Sequence, residues 1–481
     1  MKHIRIWLTG LVITLAAIAI PVFYFGRAPT EVRAAPAAAV PQHQTHTSHV
    51  DLLPGPYATG QEVTRACLEC HPDSARQVMQ TSHWTWESQP FTVAGRAEPV
   101  TIGKINQINN FCISAIGNQK SCSSCHVGYG WEEGTANANL TQPDNVDCLV
   151  CHAQSGYAKG SYGNPAEGVD LAAAARSVAA PTRQQCGQCH FDGGGGNGVK
   201  HGDLDESLYY PAAETDVHMG AFNLLCTDCH TTHDHVIRGR LVADNYQVDP
   251  AEQAACTDCH ASAGLHADER LNSHLDAVAC QTCHIPSLAT QDPTKVYWDW
   301  STAGQALQPD DHYEYLNIKG SFAYAANVQP EYLWFNGNLA YRYLLGDTVD
   351  PNKPTILDLP AGDITDTAAK IFPFKLHVAK QPYDTVFNYL LAPITAGPDG
   401  YWTTFDWDSA FQLAEARMGL KYSGHYGFTE TWMYWPTTHL VQPQENALQC
   451  SDCHSANGRL DWEALGYPGD PMEWGGRLSH K

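Results

Sequence analysis

The residues best suited to chemistry in this chain are cysteines and histidines at one repeated spacing. Sixteen of the 17 cysteines stand in eight CxxCH motifs. In this pattern two thiols bond covalently to the vinyl groups of a c-type haem, and the following histidine ligates its iron. The motif residues are Cys67, Cys70, His71, Cys122, Cys125, His126, Cys148, Cys151, His152, Cys186, Cys189, His190, Cys226, Cys229, His230, Cys256, Cys259, His260, Cys280, Cys283, His284, Cys450, Cys453 and His454. The sequence therefore predicts eight covalently attached c-type haems as cofactors.

Two other uses of paired cysteines fit the pattern less well. Zinc ribbons contain CxxC pairs but do not need a histidine directly after every second cysteine. A disulfide scaffold is disfavoured because a CxxC spacing closes a short, strained loop of the redox-active kind. Since haem would supply much of the apolar core, the chain without haem is not expected to fold independently.

The remaining cysteine, Cys112, lies ten residues before the second motif, in the string NNFC. Every other thiol is a predicted haem anchor, so Cys112 has no intramolecular disulfide partner outside those anchors. A thiolate beside a haem could attack a sulfane sulfur or hold a sulfur intermediate. The residue could equally be a small buried apolar side chain that lines a pocket. From the residues alone both interpretations stay open.

Net charge limits the partners of this chain. The formal net charge is −23, whereas nucleic-acid binding needs a basic surface, so we expect no nucleic acid as a partner. The same field repels anions from most of the surface, so any anion-binding site must be locally positive. The field could orient an electron donor, which we expect to be a small cytochrome or a membrane quinol dehydrogenase.

Residues 1–27 have the pattern of an export segment. A basic start precedes an apolar run from Ile6 to Phe25, which is about long enough to span a bilayer. Small residues typical of a cleavage site follow at 35–39. The sequence does not decide between a cleaved signal peptide and a retained N-terminal membrane anchor. Both alternatives predict a periplasmic location, with or without a tether to the inner membrane.

The spacing of the motifs predicts the organisation of the rest. Residues 28–56 are rich in Ala, Pro and His and are predicted to form a flexible tether. Residues 57–286 hold the first seven motifs, at spacings too unequal for a repeat solenoid. Residues 287–449 carry no motif and are rich in aromatic residues, and 450–481 hold the eighth motif. Because the motif-free region leads back to a haem motif, we expect it to supply distal iron ligands rather than to form a detachable domain.

We predict a multihaem cytochrome c fold that is mainly α, with much irregular coil and little β structure. Only 16% of the residues are charged, and the chain has 39 Gly and 29 Pro, a composition that favours loops and short helices. The aromatic-rich region is expected to be irregular or weakly stranded. One helix is predicted near 406–421, where Phe411, Ala414 and Met418 recur at helical spacing.

Each haem iron needs a second axial ligand unless that position is kept for a substrate. From the non-motif histidines we predict His83, His218, His233, His266, His274, His377 and His439 as distal ligands. The choice between His233 and His235, and the roles of His201, His312 and His425, stay open. The tether residues His43, His46 and His49 are predicted to be solvated, and His480, at the chain end, is set aside.

After the tether, nearly the whole chain resembles the octahaem tetrathionate reductases, periplasmic respiratory cytochromes related to the pentahaem nitrite reductases and the octahaem hydroxylamine oxidoreductases. The resemblance rests on the order of eight motifs with a long gap before the last. It also rests on INNFC, CSSCHVGYGW and NVDCLVCH, and on CHFDGGGGNGVKHGDLD, LHADERLNSHLDAVACQTCHIP, KLHVAKQPYD and WPTTHLVQP.

The resemblance implies an active site at the haem of the second motif. In that family this haem is ligated by a lysine from outside the motif and lies beside a free cysteine, positions that correspond to Lys200 and Cys112 here. Lysine binds iron only when it is neutral, which requires desolvation. Whether Lys200 replaces His126 on the iron stays open. From the residues alone Lys200 could also be a solvated loop lysine, and Lys159 is a rival ligand.

Three functions are then possible. In the first, electrons pass along the haems to the second one, where tetrathionate is reduced to thiosulfate, or nitrite or hydroxylamine is reduced; His201 and Asp203, with Asp205, would deliver protons. In the second, all eight haems are six-coordinate and the chain only transfers electrons. In the third, it oxidises hydroxylamine, but that family needs a haem-linked tyrosine, and no tyrosine here maps to that role. The first is the prediction.

Overall fold

A computed structural model of the chain describes residues 46–88, 90, 96–104, 106–112, 115, 118–131, 141–239, 253–260 and 265–477. The predicted export segment and residues 28–45 of the tether lie outside these ranges. The described residues fall into two units. One is the segment Cys256–Ser273, which carries the sixth motif, and the other contains the rest. Among the described residues, no helix combines the length and apolar character that crossing a bilayer requires.

The helices are short and are concentrated around the haem motifs. They are α1 Gly60–Leu68, α2 Ser74–Val78, α3 Ser82–Thr85, α4 Gln119–Cys122, α5 Leu149–His152, α6 Leu171–Arg176, α7 Arg183–His190, α8 Cys226–Cys229, α9 Glu269–Ser273, α10 Cys280–His284, α11 Tyr401–Thr404, α12 Trp407–Met418, α13 Cys450–Cys453 and α14 Pro471–Trp474. Single 3-10 turns occur at Ser123–Cys125, Pro143–Asn145, Ser161–Gly163, Glu206–Tyr209, Cys256–Asp258, His274–Asp276, Trp300–Thr302 and Gln444–Asn446, and a π turn at Val217–Ala221.

The strands lie mostly in the motif-free region. They are β1 Thr232–His233, β2 Val236–Ile237, β3 Thr294–Asp299, β4 Tyr315–Leu316, β5 Gly320–Ala325, β6 Glu331–Phe335, β7 Leu339–Arg342, β8 Thr355–Pro360, β9 Lys370–Asp384, β10 Tyr389–Leu390 and β11 Tyr426–Pro436. β1 and β2 form a hairpin. The other nine form one sheet in the order β4-β5-β3-β9-β11-β8-β7, with β6 and β10 also paired to β9. β3 runs parallel to β9, and β8 runs parallel to β11.

The prediction of little β structure is wrong for this region. The central strand β9 is buried along most of its length, from Ile371 to Lys375 without interruption. A strand buried on both faces loses the alternation of apolar and polar residues that marks a half-exposed strand. Its sequence, KIFPFKLHVAKQPYD, also contains two prolines and four charged residues. Such residues are uncommon in a central strand and argued against one here.

The predicted helix near 406–421 is confirmed as α12. Its N-cap Asp406 accepts a hydrogen bond from the N–H of Ser409, and Gly419 follows its last residue in the left-handed conformation. Those are favoured residues for the start and the end of a helix. Phe411 and Ala414 are buried, as their spacing predicted.

Two aromatic clusters of the sheet bring distant parts of the chain together. The first cluster contains Phe111, Val199 and Trp435, and the second is built around Trp298 and other aromatic residues of the sheet. Cys112 packs against both clusters. The sheet therefore holds the segment before the second motif against the glycine-rich loop after the fourth.

Candidate active site and haem-binding residues

The haem motifs share a helical local conformation, as in α10 and α13. Residues three apart lie on the same side of a helical turn, so the two thiols of a motif face the same edge of a bound haem. The histidine comes one residue later and lies next to the second thiol. The CxxCH spacing and the helical turn are thus matched to a single planar cofactor.

Five motif histidines lie opposite a histidine from elsewhere in the chain, with ring centroids 6.1 to 6.5 Å apart. Two imidazoles on one iron would be separated by about 6 Å, because each metal–nitrogen bond is about 2.0 Å and the ring centre lies about 1.1 Å beyond the nitrogen. The pairs are His49–His71, His83–His190, His152–His235, His230–His439 and His274–His454. These pairs fit the two axial ligands of a haem iron.

Hydrogen bonds at Nδ1 orient these rings. Nδ1 of His152 lies 3.0 Å from the carbonyl oxygen of Ala179, and Nδ1 of His454 lies 2.6 Å from Oδ1 of Asp470. A histidine that ligates a metal typically donates its other N–H to a carbonyl or a carboxylate. The arrangement leaves Nε2 of both rings for an iron.

The pairs include three of the predicted distal ligands, His83, His274 and His439. In the β1–β2 hairpin, His235 and not the predicted His233 stands opposite the histidine of the third motif. The His233 side chain is 93% exposed and points to solvent. The reason is local: His235 occupies the hairpin turn with a φ of 65°, which places its side chain on the other side of the hairpin from that of the strand residue.

The prediction that the tether histidines are solvated does not hold for His49. Its ring centroid lies 6.5 Å from that of His71, and its Nδ1 lies 2.8 Å from the carbonyl oxygen of Thr47. His46 stacks on His49 with centroids 5.0 Å apart and is exposed. His43 lies outside the described residues.

His218 lies near the seventh motif. The N–H of Val217 donates to the carbonyl oxygen of Val441. The N–H of Gln442, which follows Val441 in the chain, donates to the carbonyl oxygen of His284. His218 and His284 therefore lie in one neighbourhood, and the assignment of His218 as a distal ligand stays a prediction.

Three other candidate histidines lie at the surface or in the separate unit. His266 belongs to the same unit as the sixth motif. His312 and His425 are exposed. His312 lies beside the glycine-rich loop, since a Cβ on Gly196 would lie 3.7 Å from its ring.

His126, in the second motif, is held differently from the paired histidines. Its ring is fully buried, its Nε2 lies 2.6 Å from the carbonyl oxygen of Trp84, and Nε1 of Trp131 donates to its Nδ1 at 2.9 Å. Since Nδ1 accepts, the ring proton is on Nε2, and protein groups engage both nitrogens. Burial lowers the pKa of His126 to about 3. His126 is thus a neutral ring with a protein partner at each nitrogen.

Lys200 ends a glycine-rich loop that approaches the segment before the second motif. Gly194 has a φ of 86°, and a Cβ at this position would lie 2.5 Å from the ring of Phe111. Only glycine permits both the left-handed backbone and this close approach. The ammonium of Lys200 lies 4.7 Å from a ring centre of Trp435, and Trp435 and Phe111 are in contact.

Cys112 lies beside the second motif. The pKa of the Cys122 thiol is raised to about 12, chiefly by burial and next by its neighbour Cys112. Cys112 also packs against the cluster of Phe111 and Trp435, on which Lys200 rests. The structure therefore brings Lys200 and Cys112 to one aromatic cluster next to a haem motif.

Lys295, on β3, was not predicted from the sequence. It is only 3% exposed, and its Nζ lies 4.2 and 4.3 Å from ring centres of Trp298 and Phe322. Burial lowers the pKa of Lys295 to about 7; the charge of Lys319 lowers it too, whereas that of Cys112 raises it. The signal in the sequence was a lysine inside TKVYWD, among residues that otherwise suit a buried strand.

β9 contributes Lys375 and His377, which point to the same face of the strand. Lys375 is 1% exposed, and its Nζ donates to the carbonyl oxygens of Val199 at 2.9 Å and Lys200 at 3.2 Å. It thereby fixes the end of the glycine-rich loop. His377 is fully buried, and neither of its ring nitrogens has a hydrogen-bond partner within the described residues. Its predicted iron ligation stays a prediction.

The carboxylate of Asp203 is hydrogen-bonded to His439. Its Oδ2 accepts hydrogen bonds from the N–H groups of Thr438 at 2.8 Å and His439 at 3.0 Å, and lies 3.2 Å from Nδ1 of His439. Burial alone would raise the pKa of Asp203, but hydrogen bonding to His439 holds it at about 2. His201 packs its ring on Trp435 at 5.1 Å. The proton-delivery roles predicted for His201 and Asp203 stay predictions.

Lys159, the rival ligand, is committed elsewhere. Its Nζ lies 3.0 Å from Oδ2 of Asp147 and 3.1 Å from the carbonyl oxygen of Gly128, and its side chain is 4% exposed. Tyr129 and Tyr157 also donate to Asp147. Removing Lys159 from this buried ion pair would leave Asp147 without its cation, so the geometry favours Lys200.

Thiols of different motifs are close enough to shift each other's pKa. The pairs are Cys67 with Cys148, Cys125 with Cys189, and Cys186 with Cys226. These contacts join the first motif to the third, the second to the fourth, and the fourth to the fifth. Haems attached at these thiols would meet at their edges.

Known proteins match this chain along most of its length. Residues 66–153 match the family of cytochrome c554 and c-prime, and residues 295–457 match the family described as bacterial cytochrome c. An uncharacterised protein of Archaeoglobus fulgidus is 27% identical over 228 residues, which cover 37% of this chain and 75% of that protein. The crystal structure of an octaheme cytochrome c from Shewanella oneidensis is 44% identical, with a TM-score of 0.80, and the match covers 88% of this chain and 98% of that chain. With its CxxCH motifs and paired histidines, the chain belongs to the octahaem c-type cytochromes.

Proposed function

We propose that this cytochrome is a periplasmic reductase that binds eight haems and reduces tetrathionate to thiosulfate beside the second haem motif. The observation that carries the proposal is the contrast between His126 and the paired histidines. Both nitrogens of His126 are engaged by protein groups, while Lys200 and Cys112 converge on one aromatic cluster nearby. A site with its own ligand and a free thiol is what a substrate-converting haem needs and an electron wire does not.

Haem bound at these motifs supplies electron carriers and, at the second motif, an iron that can bind a small molecule. Lys200 is the residue that would hold this iron in place of His126. Lys375 supports that role because its ammonium binds the carbonyl oxygens of Val199 and Lys200. The loop end is thereby fixed, and the ammonium of Lys200 lies over the ring of Trp435.

The local charge suits an anionic substrate. Lys200, Lys295, Lys319 and Lys375 lie around the two aromatic clusters. Burial lowers the pKa of Lys295 and of Lys375, and a neighbouring lysine lowers each of these two pKa values further. A concentration of cations in a chain of net charge −23 is the locally positive site that an anion requires. Tetrathionate and nitrite both fit this description, and neutral hydroxylamine fits it less well.

The proton balance favours tetrathionate over nitrite. Tetrathionate takes up two electrons as its central S–S bond breaks, which gives two thiosulfate dianions and consumes no proton. Reduction of nitrite to ammonium consumes several protons and needs a supply of them. Since Asp203 is engaged by His439, the site is better provided with cations and a thiol than with a carboxylic acid.

The neighbouring motif thiols indicate which motifs would hold haems near each other. Cys125 of the second motif is a neighbour of Cys189 of the fourth, and Cys186 of the fourth is a neighbour of Cys226 of the fifth. These motifs would hold the haems that supply the second one with electrons from a donor cytochrome or a membrane quinol dehydrogenase.

Replacement of Lys200 by Leu tests the proposal. We expect the haem-loaded variant to lose tetrathionate turnover with a reduced donor, and to lose the perturbation of one haem by cyanide or nitrite that the unmodified protein gives. Lys353→Leu, at a surface lysine that is paired with Asp350, is the control and should retain both. Full turnover in Lys200→Leu would show that the site is misplaced. No spectral response in the unmodified protein would favour the electron-transfer function instead.

A further inference from the structure

Lys295 is a buried cation without a polar partner in the described part of the chain. Its side chain is 3% exposed, and Trp298, Phe322 and Tyr324 surround its ammonium at 4.2, 4.3 and 5.7 Å from their ring centres. Within the described residues no hydrogen-bond acceptor or carboxylate contacts this ammonium. A buried amine that keeps its proton is stabilised by an anionic partner, and a bound anion would supply the partner that the described residues do not.

Cys112 lies on the side of this cage that faces the second motif. It packs against the clusters that contain or border Trp298, Phe322 and Tyr324. A charged neighbour of Lys295 is Lys319, which is also a cation. A ligand between Lys295 and Cys112 would therefore meet two ammonium groups and a thiol.

The cage lies close to the protein surface. Tyr324 contacts the ring of Tyr313, with centroids 5.1 Å apart, and Tyr313 is 51% exposed. The exposed His312 lies 6.1 Å from Tyr324 and borders the glycine-rich loop. Two aromatic rings, those of Tyr324 and Tyr313, therefore stand between Lys295 and solvent on this side.

We infer that Lys295 is the anion anchor of the site, a substrate-binding residue that holds a sulfonate group of a sulfur oxyanion while its sulfane sulfur lies against Cys112. The inference rests on the proposed function and goes beyond it by naming the group that selects the substrate class. Aromatic walls suit the sulfane chain of such an anion, and the ammonium suits its charged end. A neutral substrate of similar size gains nothing from Lys295.

Alkylation of Cys112 measures this charge without turnover. In the haem-loaded protein the motif thiols are thioethers, so Cys112 is the thiol left to react. The rates of labelling by iodoacetate, an anion, and iodoacetamide, a neutral reagent, are followed by mass. Both reagents need the thiolate, so their rate ratio cancels the ionisation of Cys112 and reports the local charge.

We expect Lys295→Met to lower the iodoacetate-to-iodoacetamide ratio about tenfold or more, because a unit charge a few ångströms away is lost from a site of low dielectric. Lys295→Arg, which keeps the charge, should remain within about twofold of the unmodified protein. Lys353→Met is the surface control and should not change the ratio. An unchanged ratio in Lys295→Met overturns the inference. If that variant does not load haem, Lys295→Gln carries the same test.

Two further measurements complete the test. In the unmodified protein, thiosulfate should slow labelling by iodoacetamide, and the absence of any protection overturns the inference. In turnover, Lys295→Met should raise the KM for tetrathionate about tenfold or more and leave the KM for hydroxylamine unchanged. Equal changes for both substrates overturn it. If the unmodified protein does not turn over tetrathionate but the labelling ratio still falls, the proposed function fails while the anion anchor stands.

Discussion

The indole N–H of Trp131 donates to Nδ1 of His126 at 2.9 Å. Trp131 lies five residues after His126, so this bond forms within the second motif's own segment and does not depend on the distant sheet. It fixes the tautomer of His126, because an Nδ1 that accepts leaves the ring proton on Nε2, which faces the carbonyl oxygen of Trp84. Two contacts, both from tryptophans within 42 residues of His126, thus define the position of this ring.

Trp131→Phe should destabilise the haem-loaded protein. The substitution keeps an aromatic ring but leaves the buried Nδ1 of His126 without its donor, which costs about 1–3 kcal/mol. Guanidinium unfolding monitored by haem absorbance measures the loss as a lower midpoint. Trp474→Phe, at a tryptophan that is 58% exposed, is the matched control. Equal midpoints for the two variants would contradict the structural role of the bond.

The β1–β2 hairpin offers a matched pair of histidines. His235→Ala should convert one six-coordinate haem into a five-coordinate, high-spin haem, because His235 faces His152 at 6.5 Å. His233→Ala should leave the spectrum unchanged, since that side chain is 93% exposed. Electron paramagnetic resonance of the oxidised protein distinguishes the two. A high-spin signal from His233→Ala, or none from His235→Ala, would reverse the assignment.

Tetrathionate binding should weaken as pH rises through about 7, the value to which burial lowers the pKa of Lys295. Below this pH the ammonium is charged and attracts the dianion, and above it the amine is neutral. We expect the KM for tetrathionate to rise about tenfold between pH 6 and pH 8, following the charged fraction of the amine. In Lys295→Arg the KM for tetrathionate should depend much less on pH, because the guanidinium stays charged over this range. A flat profile in the unmodified protein would exclude Lys295.

Arg342 ties the segment before the second motif to the sheet. It is fully buried, its Nη1 lies 3.3 Å from Oδ2 of Asp358, and its Nη2 donates to Oε1 of Gln107 at 2.5 Å. Arg342→Met should lower the free energy of unfolding by about 3–5 kcal/mol, since Asp358 is left buried and unpaired. Thermal unfolding of the haem-loaded protein checks this. Replacing Asp358 by Leu in the same chain should recover part of the loss, and no recovery would argue against the ion pair.

The parts of the site that were predictable from the sequence are those with local chemistry. CxxCH fixes a haem anchor within five residues, and the N-cap and glycine terminus of α12 fix a helix in the same way. The pairing of Lys200 with Cys112 came from resemblance, because nothing in the composition relates residues 88 positions apart.

Other features depended on packing between distant segments. β9 is buried without interruption from Ile371 to Lys375, so this part of its sequence lacks the alternation that would have indicated a strand. From the sequence, Lys295 resembles any lysine on a strand. Only the fold shows that the rings of Trp298 and Phe322 surround its ammonium. His233 ends β1, whereas His235 lies in the turn that follows. The composition of this segment does not distinguish the two positions.

The contacts between thiols of different motifs have a consequence for biogenesis. Cys67 and Cys148, Cys125 and Cys189, and Cys186 and Cys226 lie within reach of each other. An exported chain that adopted this arrangement before haem attachment would offer those pairs to the oxidants of its compartment, and disulfides between motifs would block the cofactor. Haem attachment to the still extended chain, or reduction of these thiols until attachment, would avoid such disulfides.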